Sequence, residues 1–247
     1  MAKKSGIGNQ LYVGGYDLSG DAGAINSCAS PRAVLDVTGI NKSAMERVNG
    51  LGDGMLEFAV WFNDAALAAH PALSSLPTAD RIALYAQGGA IGDVAAGLVG
   101  KQINYDWNRG ADGSLAGTVQ IQGSAGVGLE WMVMLSAGID VAASSGTVAS
   151  KDDAASTPSG LAAILEVFDI DSGTPTVVIE DSPDNAIWTT LVSFAAVADG
   201  AEPTAQRVTV AGTVDRYLRL NITGTFTNLD YAVAYRRGLA VDDKAYS

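Results

Sequence analysis

The sequence is poor in the residues that most chemistry needs. Among 247 residues there is one cysteine and one histidine. A single cysteine, Cys28, excludes an internal disulfide framework and a cysteine zinc site. Its plain reading is a small, partly buried residue. A single histidine, His70, leaves no second imidazole for a triad, a dyad or a metal pair, and it directly precedes Pro71. A structural or exposed histidine fits that setting better than a general base. No Gly-x-Ser-x-Gly elbow occurs either. Charged residues make up only 17%, against an average of roughly 25% in soluble domains. No run of about 18 apolar residues exists, so no membrane-spanning helix is expected. The first twenty residues carry two lysines without an apolar stretch behind them, so no secretory signal is expected and a cytosolic origin is the default.

What is present is apolar, glycine-punctuated and acidic. Hydrophobic residues reach 48%, more than a thin sandwich core needs, and burial between subunits is one outlet for the surplus. The 29 glycines lie between short apolar runs, which marks many turns and therefore many strands. Asp and Glu number 27 against 15 Lys and Arg, for a net charge of −12. The acid excess runs through both halves, so neither half is a basic nucleic-acid reader, since phosphate binding depends on clustered Lys and Arg. The negative charge suits solubility, and it equally suits a surface along which DNA slides without sticking.

Alternation with period 2 recurs along the chain. "QLYVGGYDLSGDAG" reads as strand, turn and strand, and "AVLDVTGI" as a further strand. "NKSAMERVNG" carries a weak helix signal, with Ser43 and Glu46 at capping-box spacing and Gly50 as a stop. In "GMLEFAVWF" the residues Leu56, Phe58, Val60 and Phe62 form a core face, and Glu57 lies on the opposite face. "NDAALAAHPALSSL" is the best helix, capped by Asn63 or Asp64 and kinked or ended by Pro71. "KQINYDWNRGADGSLAGTVQIQG" reads as a long hairpin with "NRGADG" at its tip. Residues 142–159, "AASSGTVASKDDAASTPS", read as a linker. Beyond them, strands at roughly eight- to twelve-residue spacing predict a second small antiparallel sandwich. The expected organisation is thus mainly β: a barrel-like sandwich with one flanking helix over 1–141, a linker over 142–159 and a β-sandwich over 160–247.

Several stretches approach a functional motif and miss it. "AAGLVGKQ" has Ala95 where a phosphate loop needs glycine and Gln102 where it needs the magnesium-binding hydroxyl. "GSAGVG", Gly123–Gly128, opens a strand, so no helix N-terminus receives a pyrophosphate. In "DIDSGTPTVVIE", Asp169, Asp171 and Glu180 sit at the first, third and twelfth positions of a calcium loop. Its glycine falls one place early, and a hairpin turn is the expected structure. Asp152–Asp153 and Asp242–Asp243 lie in polar segments and read as solvated charge. Asn221 matches a glycosylation acceptor, which has no meaning without a secretory signal. Trp61, Trp107, Trp131 and Trp188 read as core or interface anchors, with sugar stacking on Trp188 as the competing reading. In "GTVDRYLRLNITGTF", Leu218, Leu220 and Ile222 are expected in a core, with Arg216, Tyr217 and Arg219 pinning the strand. No catalytic, cofactor-binding or metal-binding residue emerges.

Two regions resemble known proteins. "LYVGGYDLSGD", "LDVTGINKSAMERVNGLGDGMLEFAVWFN" and "KQINYDWNRGADGSLAGTVQIQG" with "GLEWMVMLSAG" resemble the major tail (tail tube) proteins of long-tailed bacteriophages, over about residues 5 to 140. Beyond residue 159, Ser182, Asp184, Trp188 and Leu191 followed by Arg216–Arg219 are similar to small β-sandwich modules of phage structural proteins, some of which bind carbohydrate. The resemblance implies a virion structural protein, a hexameric ring subunit whose rings stack into a tail tube. Its implied partners are copies of itself, other tail proteins and DNA in transient passage, without a membrane or a cofactor. It also implies assembly in the bacterial cytoplasm, and it transfers no active site. A capsid decoration or minor virion protein, and a carbohydrate-binding adhesion module contacting host-surface glycans, are the alternatives.

Overall fold

The computed structural model describes residues 5–238, which form antiparallel strands almost throughout. The first half contains β1 (Gln10–Val13), β2 (Tyr16–Asp17), β3 (Ala22–Ala29), β4 (Arg32–Asp36), β5 (Arg47–Gly52) and β6 (Met55–Trp61). A short helix, α1 (Ala69–Leu73), follows, then β7 (Arg81–Ala86), β8 (Val94–Arg109), β9 (Leu115–Gly123) and β10 (Leu129–Met134). The second half contains β11 (Asp140–Ala142), β12 (Gly146–Thr147), β13 (Lys151–Asp152), β14 (Leu161–Gly173) and β15 (Thr176–Ser182). It ends with β16 (Thr189–Ser193), β17 (Thr204–Val210), β18 (Tyr217–Thr223) and β19 (Phe226–Arg237). The mainly-β expectation is met.

One large sheet organises both halves, in the order β17-β14-β19-β10-β8-β7-β1-β2. β8 serves two neighbourhoods. Its first residues lie between β10 and β7, and from Gly100 onward it pairs with β9, which continues to β6 and β3. Glycine is needed at that change of partner, because a Cβ on Gly100 would stand 2.3 Å from the Gln122 carbonyl oxygen. A smaller sheet, β12-β18-β15-β16 with β13 also on β18, packs on the second half. Among the described residues, β4 and β5 pair only with each other.

Alternation sorts the side chains into three cores. Leu11, Val13, Leu56, Phe58, Val60, Leu98 and Leu73 of α1 share one core, between β1–β7–β8 and β3–β6–β9. Tyr12, Leu84 and Ala95, from the opposite faces of β1, β7 and β8, meet Met132, Met134, Ile164, Phe168, Ala232 and Ala234 in a second. Leu161, Leu165, Val167 and Tyr231 face Ile179, Leu218, Leu220 and Ile222 of the smaller sheet in a third. β14 and β19 therefore bury both faces, which is why they read as near-continuous apolar runs. Each buried Val, Leu, Ile, Phe or Met side chain among them stabilises the fold by about 1.5–3 kcal/mol.

The second core crosses the boundary between the halves. β10 pairs with β19 through Val133↔Tyr235 and Met134↔Ala234, and Arg207 of β17 grips Glu130 of β10 with two hydrogen bonds of 2.8 and 3.1 Å. Residues 142–159, read as a linker, contribute β12 and β13 to the smaller sheet.

Four local expectations are corrected. The helix expected over 63–76 shrinks to Ala69–Leu73. Its N-cap, Ala68, makes no side-chain cap; instead Asp21, from the turn after β2, accepts Ala69 N–H at 2.9 Å and Asn63 Nδ2 at 2.9 Å. Pro71 sits inside the first turn, where its missing N–H costs nothing. The helix signal in 41–50 gives no helix, because Arg47–Gly52 is drawn into β5 opposite β4. The turn after Asp171 is no hairpin: β14 and β15 belong to different sheets, and the chain turns a corner between them. Of Asp152–Asp153, read as solvated charge, Asp152 stays on the surface while Asp153 is mostly buried and bonded, as described below.

Candidate functional site

The most exposed apolar surface is the β4–β5 arm. Every residue of β4 is exposed. Val34, Leu35, Val37, Ile40, Met45, Val48 and Leu51 all stand in solvent, with Ile40 and Leu51 nearly or fully bare. Local polar bonds give the arm its shape. Thr38 donates its N–H and its hydroxyl to Asp36 Oδ1, and Glu46 N–H donates to Thr38 Oγ1 at 2.8 Å. Those Thr38 bonds, side chain before backbone, hold the Asp36 carboxyl below its ordinary range. Lys42 and Glu46 close the tip with an ion pair of 2.8 Å.

The base of the arm, by contrast, is fixed. Asp53 N–H donates to the Pro31 carbonyl at 2.8 Å, and Ser30 Oγ donates to the Leu129 carbonyl at 3.3 Å. Gly54 passes so close to β10 that a Cβ would lie 2.3 Å from Leu129 N. The arm thus projects in a set direction from a rigid mount. Beside that mount is a cleft of about 160 Å³ lined by Arg32, Trp131 and Arg236.

A second surface is the outer face of β3–β6–β9–β8. Register places Glu57 with Gln120, Met55 with Gln122 and Ala59 with Thr118 on this face, and Asn104 and Asp106 join them from β8. Side-chain amides dominate it: Asn26 donates to Glu57 at 3.4 Å, Asn104 to Asp106 at 2.8 Å and Gln120 to Gln122 at 3.3 Å. Its nearby cation, Lys101, is neutralised by Asp80 at 2.8 Å.

The residues that the sequence offered for chemistry are occupied elsewhere. Glu180 accepts Arg219 Nε at 2.7 Å and Asn221 Nδ2 at 2.8 Å, while Asp171 accepts Asn228. The calcium-loop carboxylates therefore do not converge, and no metal-holding group of His, Cys, Asp or Glu occurs among the described residues. Arg219 also lies over the Trp188 ring at 4.2 Å, which occupies one face of the indole. Leu218, Leu220 and Ile222 are buried beneath this strand, as the alternation predicts. Arg216 binds Asp152 through two bonds of 2.7 and 2.6 Å. Hydrogen bonds from Arg216 and then from the Ala154 backbone lower that carboxyl to about 2.

Asp153 is nearly buried and takes Tyr235 Oη at 2.7 Å, Arg237 Nε at 2.6 Å and Lys151 Nζ at 3.0 Å. Burial opposes its charge, yet these donors outweigh it and hold the carboxyl low. His70 sits among the rings of Phe62, Tyr105 and Trp107, with Nδ1 3.3 Å from Tyr105 Oη. Burial pushes the Cys28 thiol up to about 11, which disfavours the thiolate. Residues 95–102 lie within β8, so the phosphate-loop likeness is a strand. Asp242–Asp243 lie outside the described residues.

Sequence reasoning missed the arm as a surface and missed the Asp153 cluster. "AVLDVTGI" was legible as a strand, but nothing local tells that its apolar side chains lack a covering layer.

No family model matches the chain, and no curated protein matches it. Among solved structures it is similar to the Dit protein of phage SPP1, described as a hub of the adsorption apparatus in phages infecting Gram-positive bacteria. That match has 10% identity, covers 94% of this chain and 99% of that one, and has a TM-score of 0.34. The phage p2 baseplate in its activated conformation with strontium matches at 7% identity, covering 93% of this chain and 98% of that one, with a TM-score of 0.32. The calcium form matches at 8% identity with the same coverage and TM-score. Likenesses this loose carry no argument, so function is read from the surfaces above.

Proposed function

We propose that the chain is a structural subunit of a bacteriophage tail that joins copies of itself in hexameric rings, stacked as a tail tube through which DNA passes unbound. The observation that carries this reading is the β4–β5 arm: fixed at its base, apolar along its length and uncovered in the single chain. An exposed apolar hairpin is a liability in a monomer and a ready contact in an assembly. A neighbouring copy is the covering layer this reading assigns to it. The amide-rich face of β3–β6–β9–β8 supports the conduit role, since it holds Glu57 and Asp106 and has its lysine paired with Asp80. Such a surface offers DNA little counterion release and so little affinity. The reading assigns no catalysis, and it makes other tail proteins the partners at the ends of the tube.

Labelling the protein in assembled particles by immuno-electron microscopy tests it. Label along the tail, with a central channel in each ring, is expected. Label on the capsid shell, or a channel lined by net positive charge, would overturn the tube and favour capsid decoration or adhesion. A glycan role would need Trp188, whose ring is already covered on one side by Arg219.

A further inference from the structure

The large sheet curls until its two ends meet. At that seam the turn between β1 and β2 packs on β14 and on the start of β17. Gly15, at φ +84°, comes so close that a Cβ would lie 2.2 Å from Thr204 N and 2.5 Å from the Val167 carbonyl oxygen. Its N–H donates to Glu166 Oε2. Glu166 is completely buried, and its other oxygen, Oε1, has no hydrogen-bond partner among the described residues. We propose that Glu166 is a proton-operated latch on this seam, shut while its carboxyl carries a proton and loosened when the proton leaves.

The surroundings explain why a proton governs the contact. A buried carboxylate is tolerable only with a cation or several donors around it. Glu166 has one backbone N–H, and the neighbouring charged and titratable groups offer no relief. Tyr12 on β1 gives its hydroxyl to Gln10. Tyr16 and Asp17 on β2 bring no positive charge. Arg81 on β7 gives Nη2 to Ser75 and keeps a buried Nε without a partner among the described residues, yet no charge from it acts on Glu166, and Arg207 on β17 is committed to Glu130 of β10. Glu202, just before β17, is a further carboxyl, with Oε1 accepting Gly200 N–H and a buried Oε2 that has no partner. Asp169 on β14 and Asp230 on β19 are also acids. Burial, opposed only by the Gly15 hydrogen bond, accordingly raises the Glu166 carboxyl well above its ordinary range. An ionised Glu166 would seek water, and the nearest route to water is separation of the β1–β2 turn from β14 and β17.

The sign follows. Glu166 binds its proton more tightly with the seam closed than open. Closure is therefore strongest below the ordinary carboxylate range, near pH 4.3, and weakens as pH rises toward the closed-state value.

The test is amide hydrogen exchange of the full chain at Gly15 and Tyr16 across pH, corrected for the intrinsic rate of exchange. The wild type is expected to lose protection by about tenfold per pH unit above the open-state value. Glu166→Gln keeps the acceptor for Gly15 without an ionisable group, and its protection is expected to be flat. Glu202→Gln should retain the wild-type slope. A flat wild-type profile, or an equal slope in Glu166→Gln, would overturn the latch. Should Glu166→Gln fail to fold, the carboxyl carbon of Glu166 is followed by NMR in the wild type. A titration near pH 4.3 overturns the proposal, and a carboxyl still protonated above about pH 6 supports it.

Discussion

β14 and the β4–β5 arm are built from the same kinds of residue and meet opposite fates. In β14, Ile164 and Leu165 are 0% and 1% exposed; in β4, Val34 and Leu35 are 61% and 52% exposed. The difference is in neighbours. β14 lies between β17 and β19 with a core on each face, while β4 has β5 alone. An isolated two-stranded hairpin is marginal in water, and this one relies on the Asp36–Thr38–Glu46 bonds and its fixed base. Apolar content thus supplies stability in one region and a contact surface in the other.

The largest effect is expected from removing one side of the comparison. A chain ending at Ser150 loses β14 and β19, so β10 loses a partner and Tyr12, Leu84, Ala95 and Met132 lose the opposite wall of their core. It is expected to lose cooperative unfolding and to bind a hydrophobic dye, read by circular dichroism and fluorescence. A folded, assembling fragment would instead make 1–141 a separable domain, as composition suggests.

Single truncations sharpen the contrast. Leu165→Ala is expected to cost about 2–5 kcal/mol in urea unfolding, because the sheets on either side cannot collapse into the space. Leu35→Asp with Ile40→Asp should change stability of the lone chain by no more than about 0.5 kcal/mol while abolishing self-association in sedimentation. If the two variants behave alike, the arm is part of the fold's core in solution and the comparison fails.

Smaller effects come from the charged staples. The Asp153 carboxyl is held below its ordinary value in the folded chain. Its stabilisation is therefore complete above the unfolded value, near pH 3.9, and is lost as pH falls through the folded one. Asp153→Asn should lower stability at pH 7 and flatten the acid side of the stability profile, measured by urea unfolding between pH 7 and 3. Arg216 and Asp152 lie on the surface, 42% and 43% exposed, where water and salt screen the pair, so Arg216→Ala should shift the urea midpoint least of these variants.

Much of the fold was legible in the sequence because it depends on local period. The alternation of Leu56, Phe58 and Val60, and that of Leu218, Leu220 and Ile222, fixed which faces are buried whatever they pack against, although Phe62, expected on the first of these faces, lies past the end of β6 and is 40% exposed. The "NRGADG" tip fixed the β8–β9 hairpin, where Gly110 N–H reaches the Ser114 carbonyl.

Only the tertiary structure decided the rest, because each remaining feature joins residues far apart in sequence. The helix over 63–76 forms only over five residues, and its first N–H is taken by Asp21 from a distant turn. Ser43–Glu46 lost its helix to the pairing of β5 with β4. Asp153 became an ordered anchor through Tyr235 and Arg237, and Glu166 met Gly15 across 151 positions. The sequence by itself determined that this protein is made of strands with apolar surface to spare. Which strands bury both faces and which face solvent is set by long-range pairing, and that depends on contacts no local window contains.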